Sequence, residues 1–147
     1  MTKEDRLRKQ IKEILEHDPT IARVDDRCSG IEFGVDLVFE RIDVFGALRE
    51  YGIQIKTKNI KSTKDRHSIS VKEIIAQLAI AFGHSFPPDG KHLDAVYVVT
   101  NKEINVFAHE DILAARVGFR EIHFIDKQYL NRFLIEGNAK VSVLKKK

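Results

Sequence analysis

An aspartate sits inside the apolar run Gly34-Val35-Asp36-Leu37-Val38. Eighteen residues after it, Gln54 and Lys56 flank Ile55 in a second apolar run. A carboxylate, an amide oxygen and an ammonium are groups that phosphodiester hydrolysis requires at one point. A divalent cation polarises the phosphoryl oxygen and acidifies a water. Oxygen ligands hold that cation, and Mg²⁺ takes few of them from protein while keeping several waters. A fixed positive charge offsets the charge developing on the phosphate. Asp36 can supply the carboxylate, Gln54 its amide oxygen, the Ile55 backbone carbonyl a further oxygen, and Lys56 the charge. The chemistry requires the two runs to be neighbouring strands. Gln54 and Lys56 then share a face, because strand side chains repeat every two residues. The same alternation also describes the wet side of a half-exposed ribbon, on which all three residues are merely solvated.

The elements around these residues follow from periodicity. Residues 3–16 read as an amphipathic helix, with Leu7, Ile11, Ile14 and Leu15 on one face and Asp18-Pro19 ending it. Residues 21–27 read as a short strand, 32–44 as a strand around Asp36, 45–51 as a turn and 52–58 as the strand carrying Gln54 and Lys56. The short connection predicts an antiparallel hairpin. A basic loop over 59–69 leads to a helix running to about Phe82, with Ser70 and Glu73 as a capping box. Leu93 to Thr100 reads as a buried strand returning parallel to its neighbour. A helix within 107–116, a strand over 121–125, a helix over 127–135 and an edge strand over 141–144 complete the chain. The fold class is α/β, a mixed sheet flanked by helices in the order α-(β)-β-β-α-β-α-β-α. A chain of 147 residues with no composition break predicts one domain over 1–147, with 145–147 a frayed basic tail.

Composition narrows the function classes. One cysteine, Cys28, excludes an internal disulfide and fits a reducing, cytoplasmic setting. No Cys/His spacing of the zinc type occurs. No apolar stretch approaches the ~20 residues that span a bilayer, and the charged residues 1–12 are no secretory signal. Net charge is +3, and from Lys56 to Lys72 six cations face one acid, Asp65. Such a local excess suits a phosphate-contacting surface, with Lys58, Lys61, Lys64 and Arg66 as the candidates; a solvated loop is the plain alternative. His67 beside Arg66, and Tyr51 ahead of the Gln54 strand, are further candidate contacts. Glu40 and Asp43 are alternative acids whose place near the turn predicts exposure. His84 and His109 read as structural.

The order of a GxD(L/I) element, a spacer, a QxK element, a helix and an apolar strand ending in Val98-Val99-Thr100 resembles the Mrr-like branch of the PD-(D/E)xK nuclease superfamily. Archaeal Holliday-junction resolvases share that superfamily's fold. Arg23-Val24 with Ser29-Gly30 resembles the Arg…Ser-Gly segment of the resolvases. Ile122 to Leu130 resembles the closing strand and helix of the Mrr-like proteins. The resemblance covers about residues 3 to 135. It implies a restriction-endonuclease-like fold and Mg²⁺- or Mn²⁺-dependent hydrolysis of duplex or branched DNA by a homodimer. It places the metal-binding aspartate at Asp36, the family's acidic or Gln position at Gln54 and the catalytic lysine at Lys56. Gln77 falls on a helix where such nucleases carry a Gln near the active site. The family's first-helix glutamate matches Glu13, with Glu4 as the alternative. Val35 stands where the motif's name has proline. The competing reading is a nuclease-like module that binds nucleic acid or assembles without turnover.

Overall fold

The computed structural model describes residues 2–27, 34–63, 69–86, 90–115 and 120–145. Its elements are α1 (Lys3–Glu16), β1 (Ile21–Asp26), β2 (Leu37–Ile42), β3 (Leu48–Lys56), α2 (Ile69–Gly83), β4 (Ala95–Thr100), α3 (Val106–Ala114), β5 (Glu121–Ile125) and α4 (Lys127–Lys145). The expected order of elements is the one observed. The strands form one mixed sheet in the order β1-β2-β3-β4-β5. β1, β2 and β3 pair antiparallel, and β3, β4 and β5 pair parallel. Helices cover both faces. Val38, Val96 and Val98 meet Val71, Ile74 and Leu78 of α2 and Ile112 of α3 on one side. Leu37, Phe39, Ile53 and Ile55 meet Leu7, Ile11 and Leu15 of α1 and Leu130 of α4 on the other. Alternate residues of β3 therefore face different cores, which is why Gln54 and Ile55 lie in different surroundings.

The local chemistry explains where boundaries differ from expectation. α1 begins on a capping box in which the Thr2 hydroxyl accepts from the Asp5 N–H and the Asp5 side chain from the Thr2 N–H. The hairpin turn is tighter than 45–51. Asp43 Oδ1 accepts from the N–H groups of Phe45 and Ala47, each at 2.9 Å, so β3 starts at Leu48. β2 is shorter than 32–44, since Gly34 lies in a turn at φ +81. β3 ends at Lys56 rather than 58, and the Thr100 hydroxyl donates to the Lys58 carbonyl at 2.7 Å. Ser70 is not a cap, because α2 already begins at Ile69.

The expected edge strand over 141–144 does not form. Those residues continue α4, which includes Lys145; the rest of the expected tail, 146–147, lies outside the described residues. The four-residue alternation there is outweighed by the spacing of Leu130, Gly137 and Val141, which puts all three on the buried helix face. A Cβ at Gly137 would lie 2.6 Å from Ile14, so glycine lets α4 lie close on α1. Among the described residues, no helix is long and apolar enough to cross a membrane.

Candidate active site

The mouth of the β2–β3 hairpin gathers four of the candidate side chains. Asp36 precedes β2 and is half-buried. Its N–H donates to the Ile53 carbonyl at 2.8 Å, and its Oδ2 accepts from the Ile55 N–H at 2.7 Å. The carboxylate is thereby fixed against the backbone between Gln54 and Lys56. Lys56, at the end of β3, turns toward α2 and donates from Nζ to Gln77 Oε1 at 3.0 Å. Gln77 thus holds the lysine in place, a link the sequence indicates only as a position on a helix.

Gln54 is almost fully buried, 1% exposed. Its Nε2 donates to the Gly34 carbonyl at 2.8 Å. Because that partner accepts only, the amide orientation is determined. The other end, Oε1, is buried and finds no hydrogen-bond partner among the described residues. A buried unpaired carbonyl oxygen costs about 1–3 kcal/mol, so this atom suits a cation or a water brought by one.

Gly34 was not singled out from sequence, yet it organises the site. A Cβ there would lie 2.1 Å from the Gln77 carbonyl oxygen, at a positive φ that disfavours every L side chain. The loop before Asp36 can approach α2 only through this glycine. The sequence signal was a glycine interrupting a strand pattern, which marks close backbone approach.

The oxygens at hand are the Asp36 carboxylate, Gln54 Oε1 and the backbone around Ile55. They fit a small hard cation that keeps most of its water, the usual habit of Mg²⁺. Among the described residues, no group of three or more His, Cys, Asp or Glu is placed to hold a metal. Glu13 is exposed, and its carboxylate pairs with Lys145 Nζ at the end of α4. This ion pair holds the Glu13 carboxyl below its usual range. Glu4 is exposed in the first turn of α1. Lys58 is exposed and lies 3.8 Å from Glu73 of α2, and Lys61 is exposed nearby. Lys64, Arg66, His67 and Ser29-Gly30 lie outside the described residues. Tyr51 is on the face opposite Gln54, stacked on Phe39 with centroids 5.0 Å apart. His84 packs edge-on against Phe86, and the His109 ring lies 4.2 Å from that of Phe124.

Glu40 does not have the exposure expected of it. Glu40 and Glu50 are register partners, both nearly fully buried, and Arg23 of β1 reaches both, at 2.6 Å and 3.3 Å. They lie four residues along their strands from Asp36 and Gln54, about 13 Å away at the strand rise. Burial, and then the Glu40 charge, pushes the Glu50 carboxyl up to about 7. Burial opposes ionisation of Glu40 too, but the hydrogen bond and charge of Arg23, with the hydrogen bond to Glu50 and the Lys91 charge, together outweigh it and leave Glu40 below its ordinary value. The folded chain therefore keeps a proton on Glu50 that the unfolded chain releases near 4.5. That stabilisation is full below the unfolded value and is lost as pH rises through about 7. Thermal scans should show Tm falling as pH rises from about 4.5 to 7 and levelling off above that, and Glu50→Gln should flatten that slope. An unchanged slope in Glu50→Gln would contradict the assignment.

Comparison with known proteins adds little to this geometry. No protein-family model matches the chain, and no curated protein matches it. One solved structure, the MspJI restriction endonuclease in complex with a 27-mer oligonucleotide, is similar with a TM-score of 0.47 and 16% identity. The likeness covers 93% of this chain and 30% of that one, so the chain spans less than a third of that protein's length.

Proposed function

We propose that this chain is a divalent-metal-dependent endonuclease of the Mrr-like kind, hydrolysing phosphodiester bonds in duplex or branched DNA. The observation that carries the reading is the buried, orphaned Gln54 oxygen, which lies one residue before the Ile55 N–H that binds the Asp36 carboxylate and two before Lys56. Asp36 and Gln54, with the Ile55 carbonyl, would hold Mg²⁺ or Mn²⁺. When bound, the cation supplies Lewis acidity and a water of lowered pKa. Lys56, steadied by Gln77, places its ammonium beside the scissile phosphate and offsets the charge that builds there. Gly34 lets its loop lie against α2, the helix that carries this partner of the lysine. Lys58 and Lys61, with Lys64 and Arg66, contact the DNA backbone. Two copies related by a two-fold axis would present one site to each strand. The resemblance in motif order and the local cation excess both support the reading.

Binding should be steeply salt-dependent. Lys61→Ala is expected to reduce the slope of log K against log salt by about one. A slope unchanged in that variant would remove Lys61 from the contact surface. The hydrolysis reading is tested by incubating the chain with plasmid, four-way junction and single-stranded RNA in Mg²⁺ and in Mn²⁺. Metal-dependent cutting of a DNA substrate is the expected result. A specific observation favours a second reading, a DNA-binding module without turnover: Glu13, the first-helix acid matched by resemblance, is engaged by Lys145. Tight binding with no cutting of any substrate in either metal would favour that module.

A further inference from the structure

Residues 59–62 open the stretch that reads from sequence as a basic loop, yet the fold fastens them to the segment between β4 and α3. The Ile60 N–H donates to the Glu103 carbonyl at 2.9 Å, and the Asn105 N–H donates to the Ile60 carbonyl at 3.1 Å. Ile60 and Ile104 thereby form a parallel bridge. The Glu103 N–H donates to Asn59 Oδ1 at 3.0 Å. Ile60 itself is fully buried, packed in the same core as Ala108 and Ile112 of α3. Lys58 and Lys61 lie on either side of it and are exposed.

Asn105 completes the fastening. Its Nδ2 donates to the Ser62 carbonyl at 2.8 Å, and its Oδ1 accepts from the Ser62 N–H at 3.1 Å. The side-chain amide thus exchanges both bonds with the Ser62 backbone, as a residue of a neighbouring strand would. The same Oδ1 accepts from the Ala108 N–H at 2.8 Å and caps α3. N–H groups at Oδ1 and a carbonyl at Nδ2 fix the orientation of the amide. Ser62 is buried, 5% exposed, where such bonds are not readily exchanged for water.

We propose that Asn105 is a positioning residue for nucleic-acid binding, holding residues 58–62 in the form that presents Lys58 and Lys61 to the phosphate backbone before DNA arrives. This role rests on the reading that those two lysines meet DNA. A cation on a loose loop must be ordered as it binds, and that entropy cost lowers affinity. A segment already fastened has met the cost in folding. Loss of the Asn105 amide therefore weakens binding, while the phosphates met in the complex stay the same. Affinity and salt dependence then separate, because the slope of log K against log salt follows the number of phosphates neutralised.

The test titrates the full chain with a short fluorescent DNA duplex, in EDTA and again in Ca²⁺. Asn105→Ser is the variant. Serine keeps a cap oxygen for α3 and adds no charge, but it is shorter and has no amide to pair with Ser62. Hydrogen exchange reads the fastening directly: the Ser62 N–H should exchange faster in the variant, while the β4 amides keep their protection. Affinity for the duplex is expected to fall about tenfold with the salt slope unchanged. The same substitution made on Lys58→Ala/Lys61→Ala should cost almost nothing further, a non-additivity that a purely structural role would not produce. Unchanged Ser62 exchange, undiminished affinity, or an equal loss with and without the two lysines would overturn the role of Asn105 alone. A wild type that binds no duplex in either buffer would remove the two lysines as contacts, and the role of Asn105 with them.

Discussion

Lys56→Ala is expected to slow metal-dependent DNA cleavage by about a hundredfold to a thousandfold, the usual cost of losing one preorganised charge at a reacting phosphate. DNA affinity should change little, because backbone contact is assigned to the cations that follow β3 rather than to Lys56. Single-turnover cleavage under saturating enzyme separates the two effects. Gln77→Ala should slow cleavage less, by about tenfold, since the lysine remains but loses the acceptor 3.0 Å from its Nζ. Equal rates for wild type and Lys56→Ala would remove the lysine from the chemistry. A loss of binding as large as the loss of rate would recast it as a contact residue.

Gly34→Ala should be the most damaging glycine-to-alanine change among the described residues. The added Cβ would lie 2.1 Å from the Gln77 carbonyl oxygen and 3.2 Å from the Ala81 nitrogen, both backbone atoms of α2 that cannot rotate away. The residue would also be held at φ +81. Backbone strain and overpacking together predict a loss of about 2–5 kcal/mol. The damage should be functional too, because the Gly34 carbonyl anchors Gln54 and α2 carries the partner of Lys56. Chemical denaturation measures the first effect and cleavage at a permissive temperature the second. By contrast, Gly46→Ala meets nothing within 4 Å and suffers only the positive φ. A Gly34→Ala protein no less stable than Gly46→Ala would show that the loop can retreat from α2.

Local pattern carried most of the architecture. The period-2 alternation put Gln54 and Lys56 on one face, and Lys56 does reach α2 while Ile53 and Ile55 pack beneath α1 and α4. Strand β5 has the expected limits, 121–125. What escaped depended on partners distant in sequence. Glu40 read as a solvated charge, because nothing nearby reveals that Arg23, 17 residues away, meets it and, 27 residues away, Glu50 as well. The alternation over 141–144 read as a strand just beyond the point where α4 needs Gly137 to pack on Ile14. That longer helix brings Lys145 to Glu13, a contact 132 residues apart in the chain. The orphaned Gln54 oxygen is likewise a property of packing, since only burial turns a polar strand residue into an unsatisfied one.

The proposed role of Asp36 and its neighbours is metal-dependent hydrolysis. It is tested most directly by measuring plasmid cleavage in Mn²⁺ by the wild-type chain and by Asp36→Asn, each with and without EDTA. The substitution keeps an acceptor for the Ile55 N–H and removes the charge that would hold the cation. The wild type is expected to nick or linearise the plasmid, EDTA to stop it, and Asp36→Asn to be inactive while remaining folded. Cleavage that survives EDTA, or that Asp36→Asn retains in full, would contradict it.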